Sequence, residues 1–254
     1  MLMSMEKRVQ LHAPHCNPVV EPYIPLVEFL GAAIGPNCEL VLHDLDDPEQ
    51  SIVAIANGHI SGRVVGGPVT NFALWFMRQA EKTRVPSLTG YKSVNGEGRT
   101  CRSSSYFIRD DEGVLRGMLC INVDVTELVN IQESLTRFVG DDLSSMPDKL
   151  DAFAPEVALA QSAPRPALED APAAADAVEV LGRSVPELLD NMLSGVLDKK
   201  DIPADRMRAR ERVEVVAELD ETGFFLLKGG IAAAAERLGV SEPTIYRYLA
   251  QVRG

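Results

Sequence analysis

The chain has no apolar stretch near the roughly 20 residues that a membrane-spanning helix needs, so none is expected. The first residues show no basic segment followed by an apolar one, which argues against a secretory leader. Cysteine is scarce, and Cys16, Cys38, Cys101 and Cys120 stand apart with no pair at the spacing of redox or zinc motifs. Cys38 and Cys120 lie in apolar runs and read as buried, reduced thiols. Histidine is equally sparse: His12, His15, His43 and His59 form no metal set, and a lone histidine is no basis for haem. Phosphate-binding glycine loops, HExxH and any nucleophile–base–orienter grouping are all missing. These absences argue against an enzyme and leave no expected metal or cofactor. A cytoplasmic, reducing location is the simplest reading.

What is present is an acidic chain of 254 residues with a net charge of −12, long enough for two modest domains. The acid is unevenly placed. From residue 206 to 254 there are eight basic and seven acidic side chains, a net of +1, and the remainder carries −13. Any nucleic-acid contact at the C-terminal end must therefore be local.

Residues 20–34 have helical apolar spacing, ended by Gly35 and Pro36. Residues 38–45 alternate as a half-buried strand, and 51–57 form a second, more apolar one. Thr70 or Asn71 caps a helix carrying Phe72, Leu74, Trp75, Phe76 and Ala80. A strand over 90–94 precedes a hairpin of 100–109 and 114–125, turned by Asp110 to Gly113. Thr126 then caps an amphipathic helix to Phe138, with Leu128, Ile131 and Leu135 on its stripe. This order predicts an antiparallel sheet with helices on one face. From Gly140 to Asp176 five prolines stand among Ala, Asp and Glu, the composition of a linker. Helical spacing resumes over 181–197 and again over 204–221, and Phe224 to Leu227 is expected to plug the core that follows.

The last residues are the most specific. Ala232 to Ala235 permit close helix packing, and Gly239 supplies a positive-φ reversal. Ser241 caps a second helix with Pro243 in its first turn. Ala234, Leu238, Val240, Ile245 and Tyr248 bury the inside of the pair. Ser241, Glu242, Thr244, Tyr246 and Arg247 point elsewhere, as in a helix-turn-helix whose second helix enters the major groove. Arg247 suits guanine or a phosphate; Ser241, Thr244 and Tyr246 suit phosphate or sugar; Glu242 suits cytosine or simply the helix dipole. Arg206, Arg208, Arg210 and Arg212 form a basic run that is either a backbone contact or a solvated face.

Several stretches resemble a known family. These are Leu42 to Leu45, Ser51 to Arg63, Arg102 to Ser105, Phe107 to Asp110 and Gly117 to Asp124, which are similar to the YheO-like PAS domain. Leu227 to Leu249 resembles the helix-turn-helix that accompanies it in bacterial regulators of the DauR type. The resemblance implies an α+β architecture: a PAS-like sensor over 18–138 after a tail of 1–17, an Ala/Pro-rich linker over 139–180, and an all-α helix-turn-helix domain over 181–254. It also implies a one-component transcription factor, with a small-molecule effector of the D-amino-acid class among the candidates.

In the sensor the polar candidates for ligand contact are His43, Asn57, Ser61, Arg63, Arg102, Ser104, Tyr106 and Asn122, between the sheet and the helix near Trp75. An amino-acid carboxylate would call for Arg63 or Arg102. The bland alternative is that His43 and Asn57 satisfy turns and both arginines are surface ion pairs. The expected partners are double-stranded operator DNA, the effector and a second copy, with helices 126–138 and 181–197 as dimer candidates. The competing reading is a ligand-binding adaptor that acts on a protein partner, its C-terminal hairpin serving as a docking unit.

Overall fold

The hairpin turned at Asp110 anchors the sheet. In the computed structural model, which describes residues 9–11, 16–79, 85–139, 179–200 and 202–254, its arms are β5 (Thr100–Arg109) and β6 (Leu115–Asp124). The Asp110 carboxylate accepts the Glu112 and Val114 amides, closing the turn through its own side chain. β2 (Cys38–Asp44) pairs antiparallel with β6, β3 (Ile52–Ala56) with β2, and β4 (Ser87–Asn95) with β5. Two short edges complete seven strands in the order β1-β3-β2-β6-β5-β4-β7. β1 (Val9–Leu11) runs antiparallel to β3, and β7 (Glu179–Leu181) runs parallel to β4.

Both edge strands lie where no structure was expected. β1 sits within the stretch read as a tail, and β7 begins in the last two residues of the stretch read as a linker. The rest of that linker, 140–178, lies outside the described residues, as do His12, His15 and Ala80.

The helices cover both faces of the sheet rather than one. β2 shows it: all of its residues are buried, Leu40 and Leu42 on one face and Glu39, Val41 and His43 on the other. Leu40 and Leu42 face α1 (Ile24–Ile34) in a cluster with Val27, Val53 and Ala54. Val41 faces the opposite way, toward α2 (Asn71–Arg78). The Thr70 hydroxyl accepts the Ala73 amide and so caps α2 as expected. α3 (Thr126–Val139) leaves the end of β6.

Beyond β7, Ser184 caps α4 (Val185–Leu197), which is followed by α5 (Ala209–Glu221), α6 (Gly230–Leu238) and α7 (Glu242–Arg253). One apolar core runs from Val41, Phe107 and Met118 on the sheet, through Phe72, Leu74 and Phe76 of α2, to Leu188, Leu219, Phe224, Leu238 and Ile245. Each such side chain, fully buried, contributes about 1.5–3 kcal/mol. The sensor face and the C-terminal helices are thereby packed into a single body.

Candidate functional site

The C-terminal hairpin is built as its sequence predicts. Gly239 ends α6 at φ 62°, with its amide donating to Glu236 O and the Val240 amide to Ala235 O. These are the two hydrogen bonds of a Schellman turn, which only a left-handed residue accommodates at low cost. Ala234, Leu238, Ile245, Tyr248 and Leu249 are buried in the crevice. Ser241, Glu242, Tyr246 and Arg247 are exposed, and Thr244 is half-buried. Ser241 holds the N-cap position of α7, but its hydroxyl lies 3.0 Å from the Thr244 hydroxyl instead of capping an amide. Arg247 stands over the Tyr248 ring at 5.6 Å, which restrains its direction.

A groove between α5 and α7 is lined by Arg210, Val213, Glu214, Arg247 and Gln251, so α7 shares a surface with the basic run. Within that run Arg210 pairs with Glu214 at 3.3 Å, while Arg206 and Arg208 are exposed.

The inner face of the sheet carries the second site. Cross-strand register sets three rows of side chains on it. Glu39, Asn122 and Ser103 stand opposite one another, then Val41, Cys120 and Ser105, then His43, Met118 and Phe107. Polarity thus grades from one end of the face to the other.

At the polar end Glu39 accepts Arg63 Nη2 at 2.7 Å, Asn122 Nδ2 at 2.8 Å and the Ser61 hydroxyl. The Ser103 hydroxyl donates to Asn122 Oδ1 at 2.7 Å and meets the Ser93 hydroxyl at 2.5 Å. The Arg63 and Glu39 side chains are 1% and 0% exposed; these donors and Arg63 meet the Glu39 charge, while Arg63 also donates from Nε to Ser61 Oγ at 3.1 Å. At the edge of the cluster Glu179 of β7 accepts the Thr70 hydroxyl at 2.6 Å, and its other oxygen, Oε2, has no hydrogen-bond partner among the described residues. Burial pushes the Glu179 carboxyl up, and pushes the Cys120 thiol up to about 12. His43, bonded through Nδ1 to the Ser51 hydroxyl at 2.8 Å, is driven down to about 3 by burial and by Arg63, and so is held neutral.

Of the expected sensor residues, the structure brings His43, Ser61, Arg63 and Asn122 onto this face. Asn57 lies elsewhere: at φ 56° it donates to Gly35 O at 3.0 Å and Cys38 O at 2.8 Å, tying the end of α1 to the start of β2. Arg102 and Tyr106 project to the outer face, since strand alternation sets them opposite to Ser103 and Ser105; Tyr106 there packs beside Tyr23. Ser104 shares their parity. Glu39, Ser93, Ser103, Ser105, Tyr91 and Glu179 complete the cluster without having been singled out. For Ser103 and Ser105 the signal was the alternation Cys101, Ser103, Ser105, Phe107.

A PAS-type sheet with a helix-turn-helix packed against it is the architecture of a regulatory protein. Comparison with known proteins agrees. The YheO-like PAS domain model matches residues 14–140 and an HTH domain model matches residues 188–250. The chain belongs to the YheO-like PAS domain family.

It is 27% identical to a protein of Haemophilus influenzae over 92% of this chain and 91% of that one. It is 26% identical to protein YheO of Escherichia coli K12 over 92% and 85%. It is 25% identical to the transcriptional regulator DauR of Pseudomonas aeruginosa over 95% and 98%. Among the described residues no helix is long and apolar enough to cross a membrane.

Proposed function

We propose that the chain is a cytoplasmic, one-component transcriptional regulator that binds its operator as a homodimer and responds to a small molecule held on the inner face of the sensor sheet. The observation that carries the reading is the outward face at the N-terminal half of α7, with Ser241, Glu242, Tyr246 and Arg247 exposed and Thr244 half-buried beside them on a Schellman-turned hairpin. Two α7 helices about one turn of DNA apart would enter successive major grooves. For the effector an amino acid, and a D-amino acid foremost, is the candidate class. In support, Glu39 lies in the buried row with Asn122 and Ser103, and Arg63 and Ser61 reach it from the segment after β3, so both signs of charge meet there.

Retention of DNA from the gene's own promoter region tests the first half. The Tyr246→Ala plus Arg247→Ala variant should lose at least about tenfold in affinity. Parent-like retention by that variant sinks the recognition-helix assignment. Adding D- and L-amino acids singly to the parent complex tests the second half, and retention that none of them shifts removes that ligand class.

A further inference from the structure

The C-terminal module grips α2 at both ends. At its start Thr70 donates to Glu179, and Asn71 Oδ1 accepts the Val180 amide at 3.0 Å. At its end Arg78 donates from Nη2 to Asp220 Oδ2 at 2.8 Å and from Nε to the Asp220 carbonyl at 3.2 Å. The same carboxylate receives a two-pronged fork from the last turn of α7: Arg253 Nη2 to Oδ1 at 2.6 Å and Arg253 Nε to Oδ2 at 3.1 Å.

Asp220 is 6% exposed in its side chain, against 40% for Arg78 and 52% for Arg253, so the carboxylate is the enclosed member of the triad. Burial works to raise its carboxyl, but hydrogen bonds from Arg253 and Arg78 outweigh it and hold the group below its ordinary range. The backbones also meet here. A side chain on Gly223 would place its Cβ 2.6 Å from the Leu74 carbonyl, so the turn after α5 lies directly against α2.

On its other side α2 sets Phe72 on the Tyr91 ring at 4.6 Å and Phe76 on the Phe107 ring at 4.4 Å, over the inner face of the sheet. A helix this short moves as a rigid peg. α2 thus links Tyr91 and Phe107 to Arg78, and Arg78 meets Arg253 at the end of α7 through Asp220.

We propose that Asp220 is a positioning residue, joining α2 of the sensor to α7 and so setting the pose of the recognition helix according to what happens on the inner sheet face. The proposal rests on the regulator reading above for its output, but the relay itself can be read without DNA.

The test uses the full chain carrying Arg78→Gln, a change at an exposed position of the sensor helix and outside the recognition hairpin. Three results are expected. Hydrogen exchange over 247–253 rises in the absence of DNA. Affinity for promoter-region DNA falls at least about fivefold with an unchanged salt slope, because no phosphate contact is lost. Arg78→Lys restores part of both effects. Arg253→Gln should weaken binding too, and the double variant should be weaker by less than the product of the two single effects.

Parent-like exchange over 247–253 in Arg78→Gln overturns the relay whether or not the parent binds DNA. Parent-like affinity in Arg78→Gln, with the parent binding, also overturns it. A parent that binds no DNA instead refutes the regulator reading, leaving the exchange measurement to decide the relay.

Discussion

Glu39 and Arg63 are both charged and enclosed, since neither side chain keeps appreciable contact with water. Such a pair adds little net stability, but loss of either partner would strand a buried charge at about 3–5 kcal/mol. His43 avoids that cost by staying neutral. An unfolded chain takes up a proton on this imidazole as pH falls below 6.5, whereas the folded one resists until about 3. Its contribution is therefore complete above pH 6.5 and is lost progressively as the pH falls toward 3. Between pH 6.5 and roughly pH 5 the loss comes to about 2 kcal/mol. Glu179, whose carboxyl is pushed up by burial, works in the opposite direction, so the useful comparison is between variant and parent. Urea titrations at both pH values should show a smaller acid loss for His43→Gln than for the parent. An equal loss would mean that the imidazole is not its source.

At the scale of elements, α3 is the clearest unpartnered surface among the described residues. Leu128, Ile131, Leu135 and Phe138 are 65%, 55%, 59% and 90% exposed, at the alternating three- and four-residue spacing of a coiled-coil seam. If this seam joins two copies, sedimentation of Ile131→Glu plus Leu135→Glu should give a monomer with an unchanged circular dichroism spectrum. A dimer that survives both charges would move the contact elsewhere.

Most elements were legible because their signals are local: the Asp110 turn, the Thr70 cap and the Gly239 reversal each depend on a few neighbouring residues. β7 was not, because three residues at the end of an Ala/Pro-rich run pair with β4, more than 80 positions earlier, and nothing in Glu179, Val180 or Leu181 encodes that partner. The site was legible to the same degree. Arg63 and His43 stood out by type, but Arg102 and Tyr106 needed the register of β5 to be assigned to the outer face. Glu39 was passed over because a carboxylate in a strand ordinarily marks the solvated side, and here Arg63, Asn122 and Ser61 satisfy it inside.

For the whole molecule, charge sets how DNA can be held. From residue 206 onward, Arg206, Arg208 and Arg247 are exposed and outside the salt bridges that engage Arg210, Lys228, Arg237 and Arg253. Two copies would bring about six phosphate contacts, for a logarithmic salt slope near −5 and roughly a thousandfold loss of affinity between about 50 and 200 mM salt. The α3 double-glutamate variant should show about half that slope. A slope near zero for the parent would instead favour a protein partner over DNA.

β7 also bears on how the protein comes into being. Synthesis delivers β4 long before Glu179, so the free edge at Ser93 to Asn95 stays open while residues 96–178 are being made. An open strand edge is a template for the wrong neighbour, another chain included. The strand that finally closes it comes just before the C-terminal helices. A chain ending before β7 would leave the β4 edge unsealed, open to pairing with another chain.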